Sequence, residues 1–146
     1  MADRRVEFRV AGQAEPISHF TDAVAAGGLL FVSGIVPVDG AGRLVGGDDV
    51  VAQARQVFAN MADVLATAGC SFADVVKVTV FLTDVDDRPL VNPVRQEVFG
   101  QSRPASTLAV RPSPRTAKPL CLSHNRRYAP PIAISSACVP RSTIRP

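Results

Sequence analysis

Between Asp74 and Asp84 the chain runs Val75-Val76-Lys77-Val78-Thr79-Val80-Phe81-Leu82-Thr83, rich in β-branched and aromatic residues and free of Gly and Pro. Such a run predicts a strand. Because side chains alternate across a strand, Val76, Val78, Val80 and Leu82 share one wholly apolar face, while Val75, Lys77, Thr79, Phe81 and Thr83 share a mixed one. The apolar face belongs against helices. The mixed face is too apolar for bulk water and too polar for a dry core, which suits a subunit interface or a small-molecule pocket.

Upstream, Arg5-Val6-Glu7-Phe8-Arg9-Val10 alternates apolar and charged, predicting an edge strand, and Gly12 opens a loop that runs to Pro16. Residues 23–26 and 29–37 predict two strands joined by the tight turn Gly27-Gly28. On the second, Leu30, Val32 and Val36 face one way and Leu29, Phe31, Ser33 and Ile35 the other. Ser33 followed by Gly34 has two readings: a hydroxyl that contacts a ligand where glycine permits close approach, or a Ser-Gly bulge.

Past Gly46-Gly47, an aspartate of the pair Asp48-Asp49 supplies the acceptor a helix start needs. Val50, Ala54, Val57, Phe58, Met61, Leu65 and Ala68 then recur at three- and four-residue steps, with Gln53, Arg55, Gln56, Asn60 and Asp63 on the other side, until Gly69 ends the helix. Asp84-Val85-Asp86-Asp87 fits turn and cap duty rather than a cation site, because no calcium-loop spacing follows. A shorter helix through Leu90, Val91, Val94, Val98 and Phe99 is expected to begin with Asn92 as its cap and Pro93 at the first helical position. Arg103 to Val110 leads into one more strand. This order of strands and helices belongs to the α+β class, with two helices gathered on one face of a β-sheet.

Charge divides the chain at residue 110. Residues 1–110 hold 9 Lys+Arg against 13 Asp+Glu, whereas residues 111–146 hold 7 Lys+Arg, no acid and 7 of the 12 prolines. The sequence therefore predicts a folded domain over 1–110 and a basic, proline-rich, poorly ordered tail over 111–146, in which Ile132-Ala133-Ile134 is a weak strand candidate. Cys70, Cys121 and Cys138 are odd in number and lack motif spacing, and no apolar run approaches the roughly 20 residues of a bilayer span. A cytoplasmic protein without membrane insertion is expected.

Several motifs together resemble one family. Val32-Ser33-Gly34-Ile35-Val36-Pro37, Gly46-Gly47-Asp48, Gln53-Ala54-Arg55-Gln56, the run from Asp74 to Asp84, Val91-Asn92 and Pro104-Ala105-Ser106-Thr107 stand in the order and spacing of the reactive-intermediate deaminase (RidA, or YjgF-like) family, from about Ile17 to Leu108. The resemblance implies a chorismate-mutase-like fold and a homotrimer. It also implies clefts between subunits that hydrolyse small imines and enamines to ketones and ammonia without metal or organic cofactor. Such chemistry uses an arginine to hold a substrate carboxylate by two parallel hydrogen bonds and a glutamate to position the attacking water.

Carried over by resemblance, the substrate-binding candidates are Phe20, Ser33, Asn92 and Ser106. Phe20 stands where the family has a tyrosine, and Ser106 where it has the clamping arginine. Arg103 is not promoted, since three residues along a regular strand reverse the face. The family's last strand, an acid and apolar alternation of the Val-Glu-Ile-Glu type that holds the catalytic glutamate, has no evident counterpart, and the last acid in the chain is Glu97. The catalytic residues are thus unassigned; a base to replace the glutamate would have to come from elsewhere, such as His19 beside Phe20, although a lone histidine is more often a surface or packing residue.

Three functions follow from these residues: an imine or enamine hydrolase acting on small metabolites, a non-catalytic trimer that binds such metabolites in the same cleft, and, less favoured, an RNA-binding protein acting through the basic tail. Some relatives carry an endoribonuclease label, but neither paired histidines nor a metal cluster is present to support one. Cys121 and His124 are half of a zinc pair without the other half, so no metal is assigned. A frame-shifted reading of the gene beyond about Leu108 would explain the lost acids, the excess of proline and arginine and the lost periodicity together. It predicts that natively expressed protein departs in intact mass from the 15.4 kDa of this sequence; a matching mass with the coding DNA in frame would show the tail to be genuine.

Overall fold

The computed structural model describes residues 5–111 and 132–139. Six strands, β1 (Val6–Phe8), β2 (Ala23–Ala26), β3 (Leu29–Ile35), β4 (Val75–Leu82), β5 (Ala105–Val110) and β6 (Ile132–Cys138), form one sheet in the order β1-β2-β3-β6-β4-β5. Two helices, α1 (Val50–Thr67) and α2 (Arg88–Phe99), bury their apolar sides in the core. The expected α+β architecture, a sheet with two helices, is what the chain adopts.

The position of β6 corrects the expectation of a domain that lacks its last strand. Residues 132–138 pair antiparallel with β3 on one side and with β4 on the other, between the β1-β2-β3 meander and the parallel β4-β5 pair. Ile132, Ile134, Ser136 and Cys138 are buried, whereas Ala133, Ser135 and Ala137 lie on the opposite face. A period of two with one buried face is what a sheet interior requires. Short side chains and flanking prolines hide the strand in the sequence, because strand preference depends on neighbours more than on the residues themselves. The rest of the tail, residues 112–131 and 140–146, lies outside the described residues.

Two bulges shift the faces expected from simple alternation. The register of β4 against β6 slips between Val75 and Lys77, so Val75 is buried and Val76 is exposed. Val75 thus joins Val78, Val80 and Leu82 in the core, in place of Val76. On β3 the register slips between Val32 and Ile35, so Ser33 and Gly34 together stand opposite Ser135. Ile35 thereby joins Leu30 and Val32 on the buried face. One extra residue in a strand reverses every side chain beyond it, which sequence alternation cannot foresee.

The helix α1 begins as expected. The side chain of Asp49 accepts from the N–H groups of Val51 and Ala52 at 2.9 and 3.1 Å. Gly46 has a φ of 88° and an added Cβ there would lie 2.9 Å from the Gln53 nitrogen, so the entry loop packs directly on the helix. That close approach explains why Gln53, expected on the solvent side, is fully buried: its amide donates to the Gly47 carbonyl. Asn60, also expected outside, donates to the carbonyls of Val36 and Val38 at 3.2 and 2.8 Å and anchors the strand exit.

The helix α2 starts four residues before the expected Asn92 cap. Asp84 accepts from the Asp86 N–H at 2.9 Å and opens a short 3-10 turn, Val85–Asp87, that runs into α2, which confirms the turn duty of this acidic stretch. Pro93 therefore lies inside the helix. It lacks the N–H that would reach Pro89, and the buried Val91, Val94 and Phe99 outweigh that loss. Phe58, Phe72 and Phe99 meet edge to face, with centroids 5.4 to 6.1 Å apart, and lock the two helices together. Among the described residues no helix is long and apolar enough to cross a membrane.

If β6 is the central strand, Ile134→Ala leaves a cavity beneath α1 and lowers unfolding stability by about 2–5 kcal/mol in urea titration. A change below about 0.5 kcal/mol, the size seen at surface sites, would show that the strand does not sit there.

Candidate functional site

Among the described residues, neither helix covers the sheet face opposite the core, and Lys77, Thr79 and Ser135 there are half-buried. Strand register brings Thr107 of β5, Thr79 of β4 and Ser135 of β6 into one row, and the Ser33-Gly34 bulge of β3 continues it. The small side chains of Ala105, Ala109, Ala133 and Ala137 flank this row, so the hydroxyls lie on a shallow floor. Lys77, between Ala105 and Ala137, borders it on one side and Phe81, between Ala109 and Ala133, on the other, with Phe31 beside Ala137. Phe31 and Phe81 are 49% and 42% exposed. The mixed face expected from the sequence is therefore real for Lys77, Thr79 and Phe81, and the row through Thr107 and Ser135 was beyond its reach, because register alone assembles it.

Lys77 is the cation of this floor. Its ammonium donates to Thr107 Oγ1 at 2.6 Å and to the Val78 carbonyl at 3.2 Å, and no carboxylate pairs with it among the described residues. No Asp or Glu occurs on β3, β4, β5 or β6. The one acid on a strand is Glu7 of β1, four strand spacings away by register, roughly 19 Å at about 4.8 Å per strand, and it is bonded to Arg5. On β6 the apolar half of the expected acid and apolar alternation is kept as Ile132 and Ile134. The acidic half is replaced by Ala133 and Ser135.

The four candidates from the sequence do not converge. Ser33 lies at the end of the hydroxyl row, but its Oγ donates to the Thr21 carbonyl at 2.5 Å while its N–H bonds the Asp22 carbonyl at 2.9 Å. The bulge reading of Ser33-Gly34 is thus borne out, and the hydroxyl braces the strand. Phe20 is exposed in the loop before β2, as is His19 beside it. Asn92 is exposed on α2, between two shallow hollows of about 390 and 640 Å³.

Ser106 turns toward the helix layer, because it pairs with the buried Val78. There it accepts from Arg95 Nη2 at 2.8 Å. Burial lowers the pKa of this guanidinium, and its Nε has no partner among the described residues. The open-face neighbours on β5 are instead Ala105 and Thr107, so the position beside Lys77 carries a methyl group. Arg103 precedes β5 and is exposed. Cys121 and His124 lie outside the described residues, and no group of three His, Cys, Asp or Glu that could hold a metal occurs among the described ones.

Comparison with known proteins shows which family the chain is similar to. The endoribonuclease L-PSP family model matches residues 11–116. A RutC family protein of Pyrococcus horikoshii is 44% identical over 92 residues, 62% of this chain and 72% of that one. The 2-iminobutanoate/2-iminopropanoate deaminase of Capra hircus is 40% identical over 90 residues, 61% of this chain and 65% of that one. The crystal structure of the yjgF gene product of E. coli is 26% identical with a TM-score of 0.75, covering 93% of this chain and 99% of that chain. With a family model spanning residues 11–116 and a relative 44% identical over 72% of its length, the chain belongs to the RidA/YjgF/L-PSP family, which includes the RutC proteins.

Proposed function

We propose that this chain acts on small reactive imines and enamines, converting them to ketones and ammonia, in a cleft formed when a second copy in a cytoplasmic homotrimer covers the open sheet face. The observation that carries the reading is the hydroxyl row Thr107, Thr79 and Ser135 bordered by Lys77, which has no carboxylate partner among the described residues. The 40% identity with a deaminase of 2-iminobutanoate and 2-iminopropanoate supports it. The exposed rings of Phe31 and Phe81 support a covered face, since large apolar side chains on the middle strands of a sheet gain from desolvation.

The chemistry on this floor is as follows. Water adds to the C=N carbon, the nitrogen takes a proton, and the resulting carbinolamine loses ammonia to leave the C=O group. Lys77 holds an anionic group of the substrate by a charge-assisted hydrogen bond, displacing Thr107 from its ammonium. The hydroxyls of Thr79, Thr107 and Ser135 each donate or accept and so orient the nitrogen and the water. Of the four sequence candidates, Ser33 is the one on this floor. A general base is lacking on the four strands, and such a base contributes about 10² to 10⁴ in rate. Turnover is accordingly slow in a single copy's complement of groups.

That same lack of a carboxylate favours a second reading, a trimer that binds imino or oxo acids without turning them over. The RNA-binding reading depends on the basic tail, of which residues 112–131 and 140–146 lie outside the described residues.

Two variants separate the readings. Ser135→Glu places a carboxylate in the middle of the floor, and deamination of an imino acid generated in the assay is expected to rise about 10²-fold or more. Lys77→Met is expected to weaken binding of the corresponding 2-oxo acid about 10- to 100-fold by calorimetry, the worth of one hydrogen bond to a charged group, with little effect on an uncharged ketone. If Ser135→Glu folds, binds the oxo acid and still leaves the imine untouched, the binding reading replaces the catalytic one. If Lys77→Met binds as before, the floor is not the site. Light scattering of Phe81→Lys, expected to shift from trimer to monomer, checks the covered face.

A further inference from the structure

Two thiols that the proposed chemistry does not use meet on the helix side of the sheet. Cys70 follows the end of α1, and Cys138 ends β6. Cys138 Sγ donates to Cys70 Sγ at 3.1 Å, and both residues are buried. They lie 68 residues apart in sequence. Neighbouring backbone holds the approach: Cys70 N–H bonds the Leu65 carbonyl at 2.8 Å, Val139 N–H bonds the Asp74 carbonyl at 3.0 Å, and Cys138 pairs with Val75 across the sheet. The two sulfurs have about 1 Å to travel to reach the roughly 2.05 Å of a disulfide.

We propose that Cys70 and Cys138 form an oxidisable pair whose disulfide fastens the central strand β6 to the end of α1. With hydrogen peroxide as the oxidant, the sulfur of Cys70, the residue with the greater exposure of the two, attacks one peroxide oxygen. The O–O bond breaks, water leaves and a sulfenic acid forms on Cys70. The Cys138 sulfur then attacks that sulfenic sulfur. The S–O bond breaks, the Cys138 proton goes to the departing hydroxide, and a second water leaves. Two thiols and one peroxide give one disulfide and two waters.

Burial raises the pKa of both thiols, and each also feels the negative charge of Asp74. The thiolate is therefore scarce near neutral pH, and the first step is slower than at an exposed cysteine. The second step has its partner already in contact and needs no diffusion. A thiol placed this way captures the sulfenic acid before a further oxidant does.

The test uses the full chain carrying Cys121→Ser, so that two cysteines remain. Peroxide treatment of the folded protein is expected to lower the mass by two hydrogens, remove both thiols titratable after denaturation and give a Cys70–Cys138 linked peptide. Dithiothreitol is expected to reverse all three and to lower the thermal midpoint. In the further variant Cys138→Ser, dimedone is expected to trap a sulfenic acid on Cys70. Two thiols surviving peroxide in the folded chain, or sulfinic acid accumulating on Cys70 while Cys138 stays reduced, would overturn the pair. A linked chain that melts below the reduced one would overturn the fastening of β6.

Discussion

Backbone N–H and C=O groups buried in a sheet must be paired, and in this chain one uncharged seven-residue strand meets that demand for both of its neighbours. β6 completes the ladder of β3 on one side and of β4 on the other. Its buried apolar residues, Ile132, Ile134 and Cys138, sit beneath α1 with Val57, Met61 and Leu65 in the same core. The meander β1-β2-β3 and the β4-β5 pair have no other strand in common. What the helices cover, and which hydroxyls come into line on the open face, both follow from that one insertion.

Much of this was legible in the sequence, and the parts that were not have identifiable causes. The long helix, its Asp49 start and its Gly69 end follow from spacing and capping chemistry, which are local. The strand faces were legible up to the first bulge in each strand. Val75 and Val76 exchanged places, and Ile35 changed sides, because a bulge is set by the partner strand and not by the residues counted along one strand. Pro93 misled because a proline is usually a boundary, whereas here the packing of Val91, Val94 and Phe99 holds the helix through it.

The site was legible to a smaller degree. A mixed face on the central run announced itself through Lys77, Thr79 and Phe81, which belong to one strand. Thr107 and Ser135 did not, since each is an ordinary hydroxyl until register sets it beside Thr79. Ser106 shows the converse. A motif position placed it in a pocket, while its pairing with the buried Val78 turns it toward Arg95 and the helix layer. Motif matching counts residues along the chain, but a side chain's face depends on the ladder, and a difference of one position between the two is enough to exchange floor for core.

The central place of β6 also bears on how the chain emerges from the ribosome. Every strand that β6 joins is synthesised first, β3 about a hundred residues earlier and β4 about fifty. Until residue 138 has left the exit tunnel, β3 and β4 lack the strand that pairs with both, and the apolar layer of Leu30, Val32, Val78 and Val80 lacks its middle. Contacts this distant in sequence slow folding, and the unpaired edges of β3 and β4 are what neighbouring nascent chains can join. Cotranslational folding of this protein is therefore a race decided by its final described strand.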